Sequence, residues 1–214
     1  MAEPARKLMT VEEFLAWDDG TMTKYDLIEG VPVARGPVYN RAGEIVAMSP
    51  PTAEHGVLAA RLAAVLSAAL ASRPNCRVHS EAGIRRQSQS RSYFHADLAV
   101  SCAPLVRGGL DTPDPILIVE VLSPSTEDHD RKVKLSLYRL LPSVREILLI
   151  DPARYFCEVH RRVGDLWATD LLVAPGEVLK LESVGLAVAL EELYAGLPLK
   201  EEFAASVASG APDA

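Results

Sequence analysis

Ile116-Leu-Ile-Val-Glu120-Val-Leu-Ser-Pro-Ser-Thr126 is the stretch on which the reading of the fold turns. Its first seven residues are apolar except Glu120, which suits a strand covered on both faces. Ser123-Pro124 then ends the strand, and Ser125-Thr126 offers to cap a following helix. The Ser-Pro-Ser-Thr run lacks the Gly-x-Ser-x-Gly elbow of a serine nucleophile. A carboxylate inside such a strand is expensive to bury unless it is paired or binds a metal ion. Period and length alone leave three possibilities for Glu120: an edge position facing water, a buried ion pair, or a site.

Upstream, His95-Ala-Asp97-Leu-Ala-Val places a second acid at the start of an apolar strand. Apolar runs predict strands over 76–84, 94–101, 116–122 and 146–150. Downstream, a helix is expected over 129–141, stopped before Pro142. At about 100° per residue, Val133, Leu137, Leu140 and Leu141 form one arc of that helix. Lys134 lies on the border of the arc, within reach of Glu120, while Lys132 points away. Two carboxylates from neighbouring strands suit magnesium or manganese, which prefer oxygen ligands. Lys134 would then orient a water or neutralise charge at phosphorus. Its plain alternative is an i,i+4 surface pair with Asp130.

Further out, Thr10 and Glu13 form a capping box before a short helix. Tyr25-Asp-Leu-Ile-Glu-Gly-Val-Pro-Val suggests a strand and turn, with 44–48 as its partner and Ser49-Pro-Pro-Thr closing the hairpin. A long helix follows over 54–72. After residue 155 the pattern becomes strands at 156–162, 166–173 and 178–181, then a short helix at 190–194. No linker divides the chain, so one domain is expected over 1–205, with a fraying tail at 206–214.

Composition fits a globular protein: 214 residues, 49% apolar and 24% charged. There is no apolar leader at the start and no run near 18 apolar residues, so neither export nor a membrane helix is expected. Cys76, Cys102 and Cys157 are far apart and odd in number. That argues against a disulfide framework or cysteine zinc site, and for a reducing, cytoplasmic setting. The formal charge of −7 sits awkwardly with nucleic acid, whose phosphates are met by Lys and Arg. Acidic metal ligands account for part of it, and binding depends on where charges lie.

Asp97, the Glu120-Val-Leu-Ser-Pro-Ser-Thr run, the Lys134-x-x-x-Tyr138 spacing and the 146–152 strand together resemble the Uma family of putative restriction endonucleases. Tyr25-Asp-Leu-Ile-Glu-Gly and Ser49-Pro-x-x-x-x-His55 are similar to its N-terminal half, so the resemblance spans roughly 8–198. It implies an α/β fold of the restriction endonuclease-like PD-(D/E)xK type: a mixed central sheet flanked by helices, here with additional N- and C-terminal β-strands. In this family the lysine has moved from the second strand to the next helix, which explains Leu122 two positions after Glu120. Two departures stand out. Ala96 replaces the usual proline before the first acid, and Asp26 and Glu29 reverse the usual pair.

The reading that results is a magnesium- or manganese-dependent endonuclease that hydrolyses DNA phosphodiester bonds by metal-activated water. Asp97 and Glu120 are the expected metal ligands, and Asp97, Glu120 and Lys134 the catalytic set. Glu81 and His55 are accessory candidates; Tyr138 is expected mainly to pack. Arg85, Arg86 and Arg91 are candidate DNA contacts, with a solvated hairpin as the blander alternative. A homodimer is expected by analogy with two-strand cleavage. Two other readings stay open: a nuclease-fold protein that binds nucleic acid or a protein partner without cutting, and a metal-dependent phosphodiesterase of small phosphate esters.

Overall fold

The computed structural model describes residues 8–35, 38–39, 41–47, 52–85, 91–123 and 127–200. The expectations at Ser49–Pro51, Arg86, Ser125–Thr126 and the tail 206–214 lie outside them.

A mixed eight-stranded sheet organises the chain. Its strands are β1 (Lys24–Ile28), β2 (Val31–Arg35), β5 (Arg77–Arg85), β6 (Tyr93–Ser101), β7 (Pro115–Val121), β8 (Glu146–Ile150), β9 (Cys157–Val163) and β10 (Leu166–Leu172). They run in the order β10-β9-β8-β7-β6-β1-β2, with β5 also on β6. Only β7 and β8 are parallel among these pairs. Two small hairpins stand apart: β3 (Val38–Tyr39) with β4 (Ile45–Ala47), and β11 (Val178–Leu181) with β12 (Leu186–Ala189).

The central strand reads as its sequence suggested. Leu117, Val119 and Val121 pack on one side with Leu58, Leu62 and Leu66 of α2 (Ala53–Ala69). That same core takes in β11, β12 and α5 (Leu190–Tyr194). Ile118 and Leu122 pack on the other side with Leu135, Tyr138 and Leu141. Alternation across two cores is what a strand buried on both faces requires. At the N-terminus Thr10 and Glu13 form the expected capping box on α1 (Val11–Leu15).

Four expectations need correcting. The partner of β1 is β2, not the segment at 44–48, because Glu29 and Gly30 both take positive φ (47° and 86°) and close a two-residue turn. The 44–48 segment instead supplies β4, paired with β3. The helix after β7 is interrupted: α3 (Glu127–His129) leads into a π turn at Asp130–Lys134 and then α4 (Leu135–Tyr138). Its buried stripe is Asp130, Lys134, Leu135, Tyr138 and Leu141, while Leu140 is 51% exposed. Finally, Cys76 and Cys102 are disulfide-bonded. They lie just beyond the Arg77↔Ser101 pair, so the β5–β6 hairpin brings together cysteines 26 residues apart. The reducing-compartment reading thereby loses its cysteine argument. No helix among the described residues is long and apolar enough to cross a membrane.

Candidate active site

The site lies where the sheet splits. On one edge β6 pairs with β7 over Leu98–Ser101, then with β1 at Tyr93↔Leu27. In the gap, side chains take over the backbone of His95. Its N–H donates to Oδ1 of Asp26 at 2.9 Å, and its C=O accepts from Nζ of Lys134 at 2.9 Å.

The end of the β6–β7 ladder brings the two acids together. Leu98↔Val119 is its last pair, and Asp97 and Glu120 are the next residues along the two strands. The backbone N–H of Val121 donates to Oδ2 of Asp97 at 2.7 Å, and Nε2 of His55 lies 3.4 Å from the same oxygen. Glu120 is 2% exposed. Its Oε1 accepts from Oη of Tyr138 at 2.6 Å and from Nζ of Lys134 at 3.2 Å. Lys134 also lies 3.0 Å from Oδ1 of Asp130. The two readings of Lys134 therefore both hold: it reaches Glu120 and pairs with Asp130, but the pair is buried.

Electrostatics follow from crowding. Burial, with Asp130 and Asp97 adding to it, pushes the Glu120 carboxyl up to about 8 against the pull of Lys134 and Tyr138. Burial works against the Lys134 charge, but Glu120, Asp130 and Asp26 outweigh it and raise the ammonium above its usual range. Burial alone would raise Asp26; the imidazoles of His129, 3.7 Å from Oδ2, and His95, bonded to Oδ1, then Lys134 and Arg35, hold it well below the carboxylate range instead. For His55, Asp97 overcomes burial and raises the imidazole. Among the described residues, four carboxylates, Asp26, Asp97, Glu120 and Asp130, thus surround a gap whose permanent cations are Lys134 and Arg35.

A divalent ion suits this donor set. Among the described residues, both hydrogen bonds into Glu120 fall on Oε1 and both contacts of Asp97 fall on Oδ2. Each acid keeps an oxygen clear of those donors, and excess negative charge favours a cation. No three His, Cys, Asp or Glu side chains among the described residues are placed to enclose an ion alone. Two carboxylates with waters and substrate oxygens completing the shell is the arrangement magnesium prefers.

The other candidates divide. His55 reaches the site, and Tyr138 does more than pack, since its phenol fixes Glu120. Glu81 falls between the pairs Ser80↔Leu98 and Ala82↔Ala96, hence across from Asp97, but its carboxylate is bound to Arg35 at 2.8 Å and Lys24 at 3.5 Å. Arg85 is ion-paired with Glu12, so its guanidinium is committed. Arg91 is exposed. Lys132 faces solvent and pairs with Asp128. Asp26, His95, His129 and Asp130 also surround the site; in the sequence Asp26 is read only as a departure from the family's pair and Asp130 only as a surface partner for Lys134. Asp26 carried the signal that marked Glu120, an acid between apolar strand neighbours.

A cleft of about 930 Å³ opens at the carboxyl ends of β7 and β8. Thr52, Leu122, Ser123, Glu127, Asp151 and Arg154 are among its lining. None of Asp97, Glu120, Lys134 or His55 is in that lining; Thr52, which caps α2 three residues before His55, and Leu122, two residues after Glu120, link the cleft to the acids in sequence.

A model of the Uma2 family, described as putative restriction endonuclease, matches residues 11–191. Two uncharacterized proteins of Synechocystis sp. are each 27% identical to this chain. One, slr1290, aligns over 88% of this chain and 93% of its own length; the other, sll1609, over 77% and 87%. The crystal structure of a putative nuclease belonging to DUF820 from Anabaena variabilis superimposes with a TM-score of 0.66. It covers 88% of this chain and 99% of its own at 19% identity, a likeness of fold.

Proposed function

The chain belongs to the Uma2 family of putative restriction endonucleases, and from that premise we propose that it is a magnesium- or manganese-dependent endonuclease acting on DNA. The observation that carries this reading is Glu120, a buried carboxylate in an apolar strand, at the same end of the β6–β7 ladder as Asp97 and tied to Lys134. When bound, the divalent ion supplies Lewis-acid polarisation of the phosphodiester and an acidified attacking water. Asp97 and Glu120 are the residues to hold it, each through the oxygen that the protein leaves clear. Tyr138 fixes the rotamer of Glu120 from beneath, and the Val121 N–H fixes Asp97. Lys134 brings a permanent positive charge to the side of Glu120, where negative charge builds at phosphorus. His55 lies against Asp97, its Nε2 3.4 Å from Oδ2 of that acid.

Cleavage of both strands is most simply met by a two-fold dimer. The exposed Leu166 and Leu171 of β10, at the sheet's edge, are consistent with one. Incubation of supercoiled plasmid with the protein and manganese tests the reading: nicked and linear forms should appear, and chelation should stop them.

One observation favours a second reading. The cleft is of a size usual for small ligands, and its lining mixes Glu54, Glu127 and Asp151 with Arg154 and Lys200. That suits a small phosphate ester better than a duplex, which needs a basic groove. Hydrolysis of bis(p-nitrophenyl) phosphate with no cutting of any DNA would favour it.

A further inference from the structure

Three acceptors surround the ammonium of Lys134. It donates to the His95 carbonyl at 2.9 Å and to Oε1 of Glu120 at 3.2 Å, and Oδ1 of Asp130 faces it at 3.0 Å as an ion partner without a hydrogen bond. For Lys134 to turn towards substrate, one of these three contacts has to give way.

The three are not equally free to do so. The His95 carbonyl is main chain, and the N–H of the same residue is held by Asp26. Glu120 can release Lys134 at low cost, because Tyr138 still donates to the same oxygen. Asp130 is the opposite case. It is 2% exposed, and its Oδ1 accepts no hydrogen bond of good geometry among the described residues, so the ammonium is its compensation. A buried carboxylate stripped of its cation is strongly destabilising. Asp130 and Lys134 are also the first and last residues of the π turn, whose bond from Leu135 N–H to the Asp130 carbonyl spans five residues. Such turns recur at functional sites.

We propose that Asp130 is a positioning residue: it keeps Lys134 in the gap between β1 and β7, so that Glu120 is the acceptor released when that carboxylate turns to a divalent ion. This rests on the endonuclease reading above for its place in a reaction. Asp130 itself touches neither ion nor substrate.

The test is a double-mutant cycle joined to a measurement that needs no cleavage. In plasmid nicking, Asp130→Asn should lower kcat on the order of 10²-fold with KM little changed, the cost of a misplaced catalytic group. In a Lys134→Ala background the same change should cost nothing more. Losses that multiply instead would overturn the proposal. Independently, ¹⁵N-lysine NMR should show a Lys134 ammonium that exchanges slowly with water. On addition of magnesium it should shift but stay visible in the wild type, and vanish in Asp130→Asn. A wild-type resonance that vanishes or does not respond, or one that persists in Asp130→Asn, sinks the idea. If Asp130→Asn does not fold, the wild-type titration decides alone. A protein that passes this titration but cuts nothing loses the endonuclease reading and keeps the Asp130 one.

Discussion

Tyr138 donates to Oε1 of Glu120 at 2.6 Å across 18 residues of sequence, and this bond fixes an acid whose pKa burial raises. The Glu120 carboxyl is raised from 4.5 to about 8, so between these values the folded protein holds a proton that the unfolded chain has released. Stability from this group is complete below 4.5 and is lost as pH rises through about 8. His55, also raised, acts in the same direction. The melting temperature of the ion-free protein should therefore fall between pH 5 and pH 8, by at most about 1.4 kcal/mol of stability per pH unit for one group. Glu120→Gln should flatten the profile. A wild-type profile as flat as the mutant's would mean that Glu120 is ionised throughout.

Divalent ions should act on the same charge. Millimolar magnesium or manganese should raise the melting temperature at pH 8 more than at pH 6, because the ion competes with the proton on Glu120. Glu120→Gln and Asp97→Asn should each remove the rise. If the shift survives both substitutions, the ion sits elsewhere.

The catalytic set should separate into two behaviours. Asp97→Ala and Glu120→Ala should abolish both nicking and stabilisation by manganese. Lys134→Ala should still bind the ion while losing a factor on the order of 10²–10³ in rate, as expected for a preorganised charge. Lys132→Ala, whose side chain is in solvent, should cut like the wild type. Equal loss in the two lysine variants, with circular dichroism unchanged, would mean that the helix presents a different face.

How much of this was written plainly in the sequence depended on what each signal reports. Apolar runs report burial, so β8 and β11 have the expected bounds and β7 lies within one residue of them. Glu120 stood out because burial and charge conflict. The helix after β7 was legible only in part. Of its apolar arc Leu141 is buried and Leu137 packs against the core, and Lys134 at the border reaches Glu120, but Asp130 is buried with it and Leu140 is left exposed. Hydrophobic periodicity is blind to a buried polar stripe. A π turn adds one residue to a repeat that sequence reads only coarsely. Cys76 and Cys102 meet through the register of β5 on β6, which no count of cysteines contains.

That disulfide gives a simple chemical expectation. Cys157 is fully buried, and burial pushes its thiol up to about 12. Ellman's reagent should find no thiol in the native protein, one after unfolding, and all three only after unfolding with reduction. Cys102→Ser should lower stability by about 2–4 kcal/mol. Three thiols in the unfolded, unreduced protein would mean that the pair is open.

The gap at His95 makes the N-terminal hairpin part of the chemistry rather than an ornament at the sheet's edge. One residue, His95, is held at its N–H by a residue of β1 and at its C=O by a residue of the π turn, where a neighbouring strand would normally hold both. Until those two outlying pieces dock, the central strands carry two acids with no cation between them. The docking of the hairpin has a readout in a single amide: the His95 N–H should resist hydrogen exchange only when Asp26 is present to receive it.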